Sequence, residues 1–292
     1  MANRLKMRIL LLLSLVYINC DYLQAQTTIP RFEEGERVVF VGNSITHGGH
    51  YHSFIWLYYM TRFPNMPIRV FNGGIGGDTA YDMNKRLDGD IFSKNPTVLM
   101  VTFGMNDSGY YEYNGDNAKE FGEQKYQESI KNFQQMEKRF KELPHTRIVM
   151  TGTSPYDETA QIKDNTVFKK KNETIKRIIE YQRESAARNG WEFTDWNAPM
   201  VAINQELQQK DPSFTLCGND RIHPDNDGHM VMAYLFLKAQ GFAGKDVANM
   251  EINANKKQAV KAEGCTISNI KKIGKDISFD YLAEALPYPL DT

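Results

Sequence analysis

Ser44 lies just past the apolar run Val38-Val39-Phe40-Val41, in Gly42-Asn43-Ser44-Ile45-Thr46. A hydroxyl nucleophile needs a base to take its proton, a partner to orient that base, and donors for the oxyanion that forms. Asp220-Arg221-Ile222-His223 offers base and partner on one short turn, where a carboxylate can fix the imidazole tautomer and stabilise the imidazolium. Two stretches could supply donors. Asn72-Gly73-Gly74-Ile75-Gly76-Gly77-Asp78-Thr79 can turn backbone N–H groups outward, and Gly104-Met105-Asn106-Asp107 carries a side-chain amide. The chemistry these residue types support is acyl transfer at an ester carbonyl. Each motif taken singly has a plainer reading. A loop serine is usually a turn or cap residue, and Asp-x-x-His also arises where an aspartate caps the following helix. The glycine stretch is no dinucleotide fingerprint, since a G-x-G-x-x-G read from Gly74 needs glycine where Thr79 stands. The serine block also misses the G-x-S-x-G elbow at Thr46. His47, His50 and His52 follow Ser44 closely and read as lining residues. His229 reads as packed or exposed on a helix, and His145 as a loop residue.

The segments that would position these residues alternate in period. Val38–Val41, Ile68–Phe71, Val98–Phe103, Arg147–Thr151 and Trp191–Asp195 read as strands. Between and after them, helical spacing runs over His52–Arg62, Lys119–Leu143, about Asn165–Arg188 and Gly228–Gln240. Strands separated by helices imply right-handed crossovers and a parallel sheet covered on both faces. Ligands of such sheets bind beyond the carboxyl ends of the strands, where Ser44, Gly74, Asn106 and the Thr153-Ser154-Pro155-Tyr156 stretch are expected. Past Gly241 the pattern weakens to short β-like pieces, Cys265–Ser268 and Ile277–Tyr281, and residues 242–292 read as an extension to a domain spanning 30–241. The run Lys169-Lys170-Lys171 reads as a solvated helix face.

Taken together, in this order and at these strand ends, the four blocks resemble those of the SGNH hydrolases, the GDSL-type esterases and lipases. Gly42-Asn43-Ser44 resembles the first block, with Asn43 in place of the usual aspartate. Asn72-x-Gly74-x-x-Gly77, Gly104-x-Asn106-Asp107 and Asp220-x-x-His223 are similar to the remaining three. The resemblance covers Val38 to Gln240 and implies a flavodoxin-like three-layer α/β/α sandwich around a parallel sheet. It implies Ser44 as nucleophile and His223 as general base oriented by Asp220. The oxyanion would be held by the Ser44 and Gly74 N–H groups and the Asn106 side chain. Chemistry of this kind requires no metal or organic cofactor.

Composition narrows the remaining classes. With 292 residues, 41% of them hydrophobic, the chain can bury a substantial core, and 35 Lys+Arg against 36 Asp+Glu gives no basic excess for a nucleic-acid partner. Arg4, Lys6 and Arg8 precede the apolar run Ile9–Ile18, too short to span a bilayer, and Ala25 is a small residue suited to cleavage. Residues 1–25 therefore read as a signal peptide of an exported protein, with lipid anchoring at Cys20 as the weaker alternative. Cys217 and Cys265 could pair, although spacing alone does not say so. No zinc spacing is present. The stretch His223–Tyr234 fails as a calcium loop, because a histidine opens it and Tyr234 stands where glutamate is needed. The sequons Asn106-Asp-Ser108 and Asn172-Glu-Thr174 are discounted, the first because it would modify a candidate site amide.

After Asn106 comes Tyr110-Tyr111-Glu112-Tyr113, a tyrosine loop suited to stacking on sugar faces while keeping hydroxyls wet. With His47 and Tyr156, Tyr110 and Tyr111 form the expected substrate surface. The expected function is an exported carbohydrate esterase that removes acetyl or other small acyl groups. The alternatives are a lipase or arylesterase, an acyltransferase, and a glycan-binding protein on the same scaffold.

Overall fold

The computed structural model describes residues 29–163 and 165–289. The expected signal peptide and Cys20 lie outside these residues.

Five strands form one wholly parallel sheet: β1 (Arg37–Gly42), β2 (Arg69–Gly74), β3 (Val98–Val101), β4 (Arg147–Gly152) and β5 (Glu192–Asp195). Their spatial order is β2-β1-β3-β4-β5, the flavodoxin-like arrangement. Valines and other apolar residues bury both faces of β1, β3 and β4, as a sheet sandwiched between helices requires. The helices are α1 (Ser44–His47), α2 (His50–Arg62), α3 (Ala80–Lys85), α4 (Ala118–Phe140), α5 (Lys171–Asn189), α6 (Asn197–Gln208) and α7 (Asn226–Ala239). α2 packs on α7, whereas α3, α4 and α5 pack against one another in series, giving two helical layers. Asn189-Gly190 ends α5 as expected, with Gly190 in the left-handed region at φ 67°.

Register sets the level of every strand end. Gly42 pairs with Gly74 and Val41 with Val101, so the segments leaving β1, β2 and β3 emerge side by side. The chain order reverses between β1 and β3, which opens a crevice between their carboxyl ends.

Several boundaries differ from the expectation. β3 stops at Val101, two residues early, because Thr102-Phe103-Gly104 turns towards the Asn106 loop, with Gly104 at φ 127°. The helix expected from Asn165 begins at Lys171, since Asn165–Lys170 is loop. The short helices α1 and α3 and the helix α6 lie outside the expected elements. After α7 the chain forms two antiparallel hairpins, β6 (Asn249–Asn253) with β7 (Gln258–Glu263) and β8 (Cys265–Ile273) with β9 (Asp276–Ala283). The tail returns to α2, where Leu286 N–H donates to Thr61 O at 2.7 Å. Cys217 and Cys265 are both buried and unpaired. Among the described residues no helix is long and apolar enough to cross a membrane, and no cluster of His, Cys, Asp or Glu is arranged to hold a metal ion.

Candidate active site

Ser44 opens α1 directly after β1. Its neighbour Asn43 caps that helix: Oδ1 accepts the Ile45 N–H at 3.0 Å and the main-chain oxygen accepts the His47 N–H at 2.8 Å. Asparagine and aspartate cap helices equally well, so the departure from G-D-S keeps the turn intact. Gly42 permits that turn, because a Cβ there would lie 2.0 Å from Thr46 Oγ1. The Ser44 N–H falls in the first turn, where amides lack an intrahelical acceptor.

His223 arrives from a different part of the chain. Its Nε2 lies 2.7 Å from Ser44 Oγ, and its Nδ1 lies 2.6 Å from Asp220 Oδ2. Asp220 Oδ1 also accepts the backbone N–H groups of Ile222 and His223, each at 2.9 Å. The aspartate that caps the following helix is Asp225, which accepts Gly228 N–H at 3.2 Å, so Asp220 is left to the histidine. Burial pushes Asp220 upward, but the hydrogen bonds from His223 and Ile222 outweigh it and hold the carboxyl below its ordinary value. The same Asp220 bond raises His223 above the ordinary imidazole value, against partial desolvation. The His223 side chain is 47% exposed, so this arrangement opens at the surface and not inside a closed cavity. Chemically, a neutral Nε2 facing a hydroxyl can take its proton, and the Asp220 carboxylate fixes Nδ1 as the protonated nitrogen.

Asn106 sits on the loop after β3. Its Nδ2 donates to Asp78 O at 3.0 Å and its Oδ1 accepts the Tyr110 hydroxyl at 2.5 Å. These two bonds fix the amide plane and leave one of its two N–H donors for a ligand. Asp78 is in turn paired with Arg86 at 2.6 Å, and Arg86 also donates to Gly73 O at 2.8 Å. Gly74 is needed for close approach: a Cβ there would lie 2.3 Å from His47 N and 2.7 Å from Thr46 C. Its N–H, expected to face an oxyanion, instead donates to Asn72 Oδ1 at 2.9 Å in a local two-residue turn.

The expected substrate surface divides. Tyr110 is half-buried, and Tyr111 is 79% exposed with its ring set edge-on to Phe168. His47 is exposed beside the glycine loop. Tyr156 is not on that surface. It is 1% exposed, stacks on Phe168 and accepts the Phe168 N–H at 3.0 Å, so its ring braces the loop before α5. Of the remaining histidines, His52 is buried with Nε2 3.2 Å from Thr46 O, and His229 packs between His50 and Tyr51.

Two buried cations near the site escaped sequence reasoning. Arg221, inside the Asp220–His223 turn, has φ 69° and donates to Asp157 O and Ala160 O at 3.1 and 2.7 Å. Lys171, expected on a solvated face, is fully buried beneath the Asn106 loop, while Lys169 and Lys170 are exposed as expected.

The model of the GDSL-like lipase/acylhydrolase family matches residues 40–231. The chain belongs to this family, the SGNH hydrolases. A gut microbial diltiazem-metabolizing enzyme of known structure is 96% identical over 92% of the chain, with a TM-score of 0.89. The chain spans 61% of the length of that solved protein. An acetylxylan esterase of Geobacillus stearothermophilus is 24% identical over 224 residues, 71% of this chain and 95% of its own. The crystal structure of an acetylxylan esterase from that organism superposes with a TM-score of 0.57, covering 72% of this chain and 96% of its own. Solved variants of that esterase described as catalytic mutants replace a serine, an aspartate, and a histidine three positions after the aspartate.

Proposed function

We propose that the chain is an exported serine esterase that removes acetyl groups from secondary alcohols on bulky molecules, acetylated glycans foremost. The observation that carries this reading is the continuous relay Ser44 Oγ, His223, Asp220, with links of 2.7 and 2.6 Å. His223 Nε2 takes the proton as Ser44 Oγ attacks the ester carbonyl. The tetrahedral oxyanion is met by the Ser44 N–H and the remaining Asn106 Nδ2 proton, while the Gly74 N–H stays with Asn72 Oδ1. Collapse expels the alcohol, which leaves with the proton from His223. Water, deprotonated by the same nitrogen, then attacks the acyl-serine and frees acetate and Ser44. The mutated serine and the Asp-x-x-His spacing in the acetylxylan esterase support the assignment of these roles.

Two relatives support the acyl choice. Acetylxylan and diltiazem differ as whole molecules but share one bond type, the acetate ester of a secondary alcohol. An open site suits such a bond, since a small acyl group enters while the alcohol body stays outside. A lipase working on long acyl chains would need a long apolar channel beside Ser44. The exposed Tyr111 offers the alcohol a ring face.

The test is a panel of acetylated xylo-oligosaccharides, diltiazem, and p-nitrophenyl esters of increasing acyl length. Acetate release from the first two, with turnover falling steeply beyond short acyl chains, is expected. Preference for long-chain or aryl esters with no glycan acetate released would select the lipase or arylesterase alternative. Acetyl transfer to an acceptor sugar in place of acetate release would select a transferase, and binding without turnover a glycan-binding protein.

A further inference from the structure

Lys171 opens α5 with its ammonium entirely inside the protein. Nζ donates to Met105 O at 2.7 Å, Ser108 Oγ at 2.6 Å and Gly109 O at 2.6 Å, which uses all three of its protons on the loop that carries Asn106. It also lies 3.9 Å from the Tyr110 ring centroid, and the Tyr110 hydroxyl holds Asn106 Oδ1. From the other side, Asp107 Oδ1 accepts Ala80 N–H and Ser129 Oγ, and Oδ2 accepts Gly104 N–H, each at 3.0 Å. The loop is thus gripped between a buried cation and a buried carboxylate.

Burying an ammonium is costly, and an apolar side chain of similar length would fill the same space without that cost. Burial draws Lys171 down to about 7, with Asp107 and Glu158 opposing that fall. A group kept at such expense, with every proton spent on one loop, points to a demand for that loop's geometry.

We infer that Lys171 is a positioning residue for ester cleavage: its ammonium fixes the Met105–Gly109 backbone and the Tyr110 ring, and through them the plane of the Asn106 amide. The inference rests on the proposed role of Asn106 as oxyanion donor. A donor must already be aimed where charge develops, because reorganising it during the reaction forfeits its benefit. Loosening the loop therefore lowers kcat and leaves ground-state binding of a small ester nearly intact.

The experiment is a double-mutant cycle on the full chain with p-nitrophenyl acetate: Lys171→Met, Asn106→Ala and both together, with circular dichroism and thermal melts for folding. Asn106→Ala is expected to lower kcat about 10²–10³-fold. Lys171→Met is expected to lower kcat at least 10-fold with KM within about 2-fold, and less than about 2-fold further once Asn106 is alanine. Unchanged kcat in Lys171→Met, a KM rise matching the kcat loss, or losses that multiply in the double variant would overturn the inference. Unchanged kcat in Asn106→Ala would instead overturn the oxyanion assignment on which it rests. Should Lys171→Met not fold, Tyr110→Phe decides, because it removes only the hydroxyl. A kcat loss of about 5-fold that vanishes in the Asn106→Ala background supports the linkage, and wild-type kcat refutes it.

Discussion

Asp220 holds His223 at two points. One carboxylate oxygen accepts the histidine's own backbone N–H at 2.9 Å and the other meets ring Nδ1 at 2.6 Å. Ring orientation and backbone position are thus set by one side chain, and Nε2 is left facing Ser44. The Asp220 bond raises His223, so the neutral imidazole that the reaction needs accumulates only above the ordinary value of 6.5. Wild-type kcat/KM should rise with pH through a midpoint above 6.5. Asp220→Asn should lower kcat by roughly 10³-fold or more and move the acid limb of the residual activity to lower pH. An acid limb left in place would show that Asp220 does not set the His223 titration.

The pairing of Gly42 with Gly74 brings the serine turn against the glycine loop, with no space for a side chain. Gly74→Ala must push against the backbone of Thr46 and His47, which cannot yield as a flexible side chain would. An overpacking cost of about 1–3 kcal/mol is expected, together with a kcat loss, as Ser44 shifts relative to His223. Gly89→Ala is the control, since a Cβ there meets nothing within 4 Å. Equal melting temperatures for Gly74→Ala and wild type would contradict the close approach.

His229 gives the fold an acid sensitivity separate from catalysis. Burial and the nearby His50, His52 and His223 lower it from 6.5 to about 4, and its Nδ1 is buried without a hydrogen-bond partner. The unfolded chain therefore binds a proton that the folded chain refuses between these values. Stability is full above about pH 6.5, falls as pH drops towards 4, and has lost about 3 kcal/mol there from this residue. Urea unfolding at pH 7 and pH 4.5 should show the loss, and His229→Phe should reduce it. An identical pH dependence in the variant would remove His229 as the cause.

The site was legible in the sequence where residue type and chemistry coincide. Ser44, Asn106, Asp220 and His223 stand at strand ends or in turns, and the alternating apolar segments identified those ends. What was not legible depends on the third dimension. Lys171 follows two lysines that are indeed solvated, and only the return of the β3 loop over the start of α5 buries it. Tyr156 looks like a strand-end ligand residue until Phe168 covers its ring. Gly74 reads as a free donor because the local turn that lends its N–H to Asn72 leaves no trace in composition. α3 is a six-residue helix, too short for a period, and α6 has Pro199 in its first turn, where proline is tolerated but reads as a breaker. The β6–β7 hairpin alternates only weakly between half-buried and exposed residues, so it carries little apolar signal.

Tyr111 tests whether the alcohol is recognised outside the reacting centre. Tyr111→Ala should raise KM for acetylated xylo-oligosaccharides by about 3–10-fold, the scale of one ring contact, and leave p-nitrophenyl acetate kinetics unchanged. Equal effects on both substrates would mean that the ring supports the loop and not the sugar.

The most direct measurement of the whole account is acetate released by Ser44→Ala beside wild type, on an acetylated xylo-oligosaccharide under identical conditions. Wild type should release acetate catalytically, and the variant, still folded by circular dichroism, should fall by at least 10³-fold. A folded Ser44→Ala protein that releases acetate at the wild-type rate would contradict the assignment of Ser44 as nucleophile.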